Sequence, residues 1–165
     1  MTRMYDPTAG EVLLDGRDIR CIGSAQRCQD VGYILQDPFL FGPSIAQNVE
    51  SLKGLEHLFD DGLDTEVESL SLGQKQVVAF LRAVERQPSL LILDEATANI
   101  DTLTEKTLDS LLKTLPEHTT RVVIAHRFGT IESADEIFFV NDGRIQKTAS
   151  VNRAVSLLQG ERRKS

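Results

Sequence analysis

The sequence predicts an α/β layered domain, and three observations carry that expectation. Leu90-Leu91-Ile92-Leu93 and Arg121-Val122-Val123-Ile124-Ala125 are short, mainly aliphatic runs, the pattern of strands covered on both faces of a parallel sheet. Segments with apolar residues at helical spacing lie between the strand-like runs, so strands and helices alternate along the chain. The 165 residues, 41% hydrophobic and 26% charged, suit one globular domain whose core forms without disulfides or metal.

The first element in chain order is a short strand at Glu11-Val12-Leu13-Leu14, between Gly10 and the turn pair Asp15-Gly16. Val31 to Leu35 is a second strand, broken by Gln36-Asp37-Pro38, because proline restricts the residue before it and donates nothing to a ladder. Residues 37–70 read as loop and short helix, punctuated by Asp60-Asp61-Gly62 and Asp64. After Gln74, the residues Val77, Val78, Ala79, Phe80, Leu81, Ala83 and Val84 are apolar on nearly every side, which describes a buried helix ending before Pro88. The run Leu90 to Leu93 delivers two carboxylates, Asp94 and Glu95, at the strand end where open α/β sheets put their sites.

A capping box from Thr102 to Glu105 starts a helix bearing Leu108, Leu111, Leu112 and Leu115, stopped by Pro116. Arg121 to Ala125 is expected as a further buried strand that delivers His126. Ile137 to Val140, the turn Asn141-Asp142-Gly143 and Arg144-Ile145-Gln146 form a hairpin, and a last helix spans Val151 to Leu158 with Ser150 as its cap. No internal repeat is visible.

A net charge of −7 argues against wrapping nucleic acid backbone, and the basic Arg162-Arg163-Lys164 reads as a frayed end. Cys21 and Cys28 fit neither a zinc spacing nor a disulfide framework, which suggests reduced thiols in a cytosolic setting. No apolar run approaches the roughly 20 residues of a membrane span, and the first residues do not resemble a signal peptide.

Three places carry chemistry, each with a plainer reading beside it. Asp94 and Glu95 suit a magnesium nucleotide site, Asp94 holding the ion's water shell and Glu95 polarising an attacking water; a buried strand ending in a solvated acidic turn gives the same pattern. His126 at a strand end is a catalytic candidate or a structural histidine. Ser71 and Gly73 open the buried helix, where free amides and the dipole bind phosphate; Ser71 also suits a simple helix cap.

Together these segments resemble the nucleotide-binding domain of ATP-binding cassette transporters through motifs in the family's order. Gln36 matches the Q-loop and Ser71-Leu72-Gly73-Gln74 the signature loop. Leu91-Ile92-Leu93-Asp94-Glu95 matches the Walker B strand, Ala98-Asn99-Ile100-Asp101 the D-loop, and Ala125-His126-Arg127 the H-loop. The stretches from Asp37 to Val49 and after Gln74 look most like the exporter branch.

The resemblance implies an incomplete, three-layer P-loop NTPase (RecA-like) core with a mostly parallel sheet, a small antiparallel β portion and a shortened helical subdomain. It implies a single partial ATPase domain over 1–165: a strand region to the Q-loop (1–36), the shortened helical subdomain with the signature (37–87), the Walker B to H-loop core (88–148), and a C-terminal helix and tail (149–165). It implies ATP and Mg2+ as ligands. Gln36 and Asp94 would serve the metal, Gln36 would also couple to a membrane domain, Glu95 would be the general base, and His126 would hold the γ-phosphate. Ser71, Gly73 and Gln74 would face ATP held by the opposite subunit of a head-to-tail dimer, with Asp101 working across the same interface. The implied partners are a second ATPase domain, as homodimer or heterodimer, and the transmembrane domain of an exporter, with no nucleic acid. The implied location is the cytoplasmic face of the cell membrane, peripheral or as part of a membrane-spanning polypeptide.

The sequence departs from the family's pattern in two main places, besides the milder change of Leu72 for the more usual glycine of the signature. No glycine-rich phosphate loop with Lys-Ser or Lys-Thr (Walker A) occurs in the chain, and Met1 falls inside the helix that follows that loop in the family. The expectation is therefore a truncated exporter ATPase, inactive alone, in which the strands of Val122 to Ala125 and Ile137 to Val140 either pair directly or leave an unpaired buried edge where the loop's strand would stand. The stretch between Gln36 and Ser71 is also shorter than in exporters. A non-catalytic accessory subunit that lends its signature and D-loop to a partner ATPase is the competing reading. A superfamily ATPase of DNA repair or translation fits the exporter-like stretches less well.

Overall fold

The computed structural model describes residues 5–94, 102–124 and 134–148. The chain divides after Ile124 into two units.

The first unit opens with a hairpin of β1 (Leu13–Leu14) against β2 (Arg17–Asp18). A two-residue hairpin turn of this kind needs left-handed backbone at both positions, and Asp15 (φ 49°) and Gly16 (φ 73°) supply it. The strand expected from Glu11 is thus shorter than its apolar pattern, and its partner carries no pattern to read. A 3₁₀ turn (Ile19–Cys21) follows, capped by Asp18, whose Oδ1 accepts from the Arg20 amide at 2.8 Å. Helix α1 (Ser24–Asp30) buries none of its residues, which is why no periodicity announces it.

Next come β3 (Val31–Ile34), β4 (Leu90–Asp94) and β5 (Thr120–Ile124), a parallel sheet in that order. The register pairs Ile34 with Leu93 and Leu93 with Val123. Leu90 to Leu93 are all buried, as a central strand covered on both faces requires. On one face Ile34, Leu91 and Leu93 share a core cluster with Val77, Val78, Phe80 and Leu81 of helix α2 (Leu72–Glu85) and with Leu108 and Leu111 of helix α3 (Thr102–Leu112). Tyr33, Leu90 and Ile92 belong to the opposite face, since side chains alternate along a strand. The cap expected at Thr102 involves a side chain outside the described residues.

β5 corrects one expectation. Its sequence promised a buried strand, yet its residues are mostly exposed, Val123 by 41% and Ile124 by 44%. The reason is positional: among the described residues β5 pairs with β4 alone, so its outer edge has no neighbouring strand to cover it.

Residues 37–70 contain four 3₁₀ turns, Ile45–Gln47, Glu56–Leu58, Gly62–Asp64 and Val67–Ser69. Despite their weak periodicity they bury Ile45, Val49, Leu52 and Phe59 in the core. Side-chain bonds replace a regular ladder here. Asn48 accepts from the Phe41 amide at 2.7 Å and donates to the carbonyls of Phe41 at 2.8 Å and Ser44 at 3.1 Å. Arg82 of α2 donates to Asn48 Oδ1 at 3.0 Å and to the Phe39 carbonyl at 2.7 Å, with its guanidinium 4.8 Å from the centre of the Phe41 ring. Burial first, and then the neighbouring Arg86, lower the Arg82 pKa.

In the second unit β6 (Ile137–Asn141) pairs antiparallel with β7 (Arg144–Thr148), with Asp142 and Gly143 as left-handed turn residues, matching the expected hairpin. The expected helix from Val151 to Leu158 and its cap Ser150 lie outside the described residues. Among the described residues no helix is long and apolar enough to cross a membrane.

Gly32 sits where β3 has little room for a side chain: a Cβ there would meet Leu91 Cδ1 at 2.8 Å and Pro88 Cγ at 3.2 Å. Because Leu91 is fully buried, Gly32→Val should overpack the core and destabilise the chain by roughly 1–3 kcal/mol. Urea denaturation is expected to show a lowered midpoint, and an unchanged midpoint would show that the β3–β4 packing is wrongly described.

Candidate functional site

Parallel strands end on one edge of their sheet, so the β3–β4 pairing fixes where the chemical residues emerge. Ile34 stands opposite Leu93 at the end of β3. Asp94 is the last residue of β4, half-buried, and Gln36 lies two positions past Ile34 with its side chain exposed. Both therefore leave the sheet at its carboxyl edge. Glu95 and His126, which follow β4 and β5 in sequence, lie outside the described residues, as does Asp101 before α3.

The Gln36 backbone carbonyl accepts from Nε2 of Gln76 at 3.4 Å, which ties the exit of β3 to helix α2. Gln76 is only 2% exposed. The N-terminus of α2 carries the other candidate residues. Ser71 is its N-cap within a full capping box: Ser71 Oγ accepts from the Gln74 amide at 3.2 Å, and Gln74 Oε1 accepts from the Ser71 amide at 2.9 Å. Gln74 Nε2 also donates to the Leu58 carbonyl at 2.6 Å, so the 37–70 segment holds this helix start in position.

The cap and the anion-binding reading are compatible. The Ser71 oxygen is used as an acceptor, but its hydroxyl hydrogen is still a donor. The amides of Leu72 and Gly73, in the first turn, have no acceptor within the helix. Two backbone donors, one hydroxyl and the positive end of a 14-residue helix make a site suited to an anion.

One partner at the carboxyl edge escaped the sequence reading. The Tyr33 hydroxyl donates to Asp94 Oδ2 at 3.2 Å. Desolvation by burial, then the Asp94 charge and this hydrogen bond, raise the Tyr33 pKa above its ordinary value, so the phenol stays protonated and able to donate. The contact follows from the register, not from the sequence alone: with Tyr33 opposite Ile92, Asp94 falls two residues further along the same face.

Among the described residues no three His, Cys, Asp or Glu side chains gather as a metal cage. Such a cage is not what Mg2+ at a nucleotide needs, since that ion keeps several waters and takes one or two carboxylates plus phosphate oxygens. A lone Asp94 with one oxygen steadied by Tyr33 fits that donor set.

An open groove lies at the far end of α2 from Ser71, lined by Asn48, Glu50, Lys53, Arg82 and Glu85 among others. The Glu85 carboxylate accepts from the amides of Glu50 and Ser51, both at 3.1 Å. Next to Arg82, Phe39 and Phe41 stack edge to face with ring centres 5.1 Å apart while remaining 62% and 55% exposed.

The profile of the family described as ABC transporter matches residues 1–98, more than half of the chain. An uncharacterized ABC transporter ATP-binding protein, YfiC of Bacillus subtilis, is 36% identical over 91% of this chain and 28% of its own length. The ATP-dependent lipid A-core flippase of Sodalis glossinidius is 39% identical over 88% of this chain and 29% of its own. Among solved structures, a bacterial Atm1-family ABC exporter with ATP bound superposes with a TM-score of 0.80 at 31% identity, covering 97% of this chain and 31% of that one. The chain thus spans under a third of the length of these relatives. With the family profile, these relatives and the shared fold in agreement, the chain belongs to the ABC transporter family, as an exporter-like ATPase domain with a partial P-loop NTPase core.

Proposed function

We propose that this chain is the ATP-binding part of an exporter, coupling ATP binding and hydrolysis to transport across a membrane from its cytoplasmic face. The observation that carries the reading is the parallel register of β3 and β4, which brings Gln36 and Asp94 out at one sheet edge. The capped N-terminus of α2 supports it by presenting Ser71 and Gly73 as donors for phosphate. On this reading 1–165 is one partial ATPase domain, with 37–87 as its shortened helical subdomain.

Asp94 and Gln36 serve Mg2+, which when bound neutralises charge on the phosphate oxygens. Glu95 orients and deprotonates the attacking water, and His126 holds the γ-phosphate. Ser71, Gly73 and Gln74 face ATP carried by a second ATPase domain, and Asp101 works across that interface. The exposed Phe39 and Phe41, fastened by Arg82 beside the groove at Lys53 and Glu85, form the surface that supports docking of the membrane domain.

Since the 165 residues contain no glycine-rich phosphate loop, Asp94, Gln36, Glu95 and His126 can trim an ATP site but not cradle the phosphates. Calorimetric titration of the purified chain is expected to give an MgATP affinity no better than roughly millimolar; micromolar binding would contradict the reading.

The two sites of a head-to-tail dimer then differ. One combines a partner's phosphate loop with Ser71, Gly73 and Asp101 of this chain; the other needs a loop these residues do not contain. Mixed with an exporter ATPase domain that has its own loop, the chain supports at most one working site. Gly73→Asp, which sets a like charge against phosphate, should lower the partner's turnover, whereas Glu95→Gln should leave it nearly unchanged. Loss of activity on Glu95→Gln with indifference to Gly73→Asp would reverse the assignment of sites.

A further inference from the structure

We infer that Tyr33 is a positioning residue for Asp94: its hydroxyl holds one carboxylate oxygen so that the other is presented to the water shell of a divalent cation at the end of β4. The inference rests on the reading of Asp94 as the residue that serves the metal, and adds to it a residue that no motif contains.

Strand parity sets up the contact. In the parallel pair, Tyr33 stands opposite Ile92, so Tyr33, Ile92 and, two residues on, Asp94 share one face of the sheet. Tyr33 and Asp94 are diagonal neighbours across the ladder, a separation that an aromatic side chain can bridge and a short one cannot. The phenol spans that diagonal and ends 3.2 Å from Oδ2. A slip of one residue in the register would send Tyr33 to the α2 side of the sheet and remove the contact.

Packing does not account for this side chain. Its neighbours on the same face, Leu90 and Ile92, are 5% and 6% exposed, whereas Tyr33 is 37% exposed. A residue chosen to cover Ile92 needs the ring but not the hydroxyl. What the hydroxyl adds is an anchor for a carboxylate at a strand terminus, whose χ torsions the backbone does not fix. A half-buried carboxylate that must meet an ion's water with one oxygen loses less rotamer freedom on binding when the other oxygen is already held. The phenol suits the task because it donates one hydrogen bond and, being neutral, does not compete with the cation for charge.

The test uses Mn2+ alone, as a paramagnetic stand-in for Mg2+, titrated into the purified 165-residue chain while amide and aromatic signals are followed by NMR. In the unsubstituted protein, broadening should concentrate on residues of β3 and β4 next to Tyr33 and Asp94. Tyr33→Phe keeps the ring, so the amide spectrum away from β3 and β4 should be unchanged. The Mn2+ concentration for half-broadening at Asp94 should rise by about 10-fold, the lower end of the loss seen when a partner of a metal ligand is removed. Asp94→Asn should abolish the local broadening. If Tyr33→Phe left the half-broadening concentration where it was while Asp94→Asn abolished the effect, the positioning role would be overturned and the metal reading kept. If broadening at this edge survived Asp94→Asn, the metal reading itself would be overturned.

Discussion

The candidate site depends on the parallel register of β3 and β4. Because Leu90 to Leu93 are apolar on both faces, β4 is stable only in the middle of a covered sheet, with β3 and β5 on either side. Parallel pairing then sends every strand's carboxyl end to the same edge. Gln36 and Asp94 both leave the sheet at that edge because Ile34 pairs with Leu93, and a slip of one residue would invert every side chain between the core face and the opposite one. The core against α2 penalises such a slip, since Ile34, Leu91 and Leu93 would leave the cluster they share with Val77, Phe80 and Leu81.

Helix α2 links the two halves of the site through the same core. Its N-terminus carries the capped Ser71, its middle holds the Gln36 carbonyl through Gln76, and its C-terminal half grips the loop beyond Gln36 through Arg82. The Phe39–Phe41 loop is therefore tied through Arg82 to the helix whose first turn holds Ser71 and Gly73. The half-buried Arg82 is hard to replace in this arrangement, because its planar fork reaches two acceptors while stacking on Phe41.

The elements that bury apolar residues in the core were legible in the sequence: β3, β4, α2 and α3. The β6–β7 hairpin, whose residues are mostly exposed, was legible from its Asp142-Gly143 turn instead. Short elements that bury little, such as α1 and β2, left no period to read. The 37–70 segment was illegible for a different reason. Its order comes from bonds such as Asn48 to Phe41 and Arg82 to Asn48, which join residues far apart in sequence or outside any regular period. β5 misled because its apolar run reads as a buried strand, whereas among the described residues it pairs with β4 alone and its side chains are mostly exposed. Of the candidate residues, Gln36, Ser71 and Asp94 were named from motifs in the sequence. Tyr33 could not, because it gains meaning only once the register sets it diagonal to Asp94.

The central claim is that this exporter-like ATPase domain offers the start of α2 to ATP held by a second domain. Sedimentation velocity tests it most directly, with the 165-residue chain mixed with an exporter ATPase domain that carries its own phosphate loop, in Mg2+ with and without a non-hydrolysable ATP analogue. The account predicts a one-to-one complex that forms only when the analogue is present. A complex indifferent to nucleotide, or none at saturating nucleotide, would contradict it.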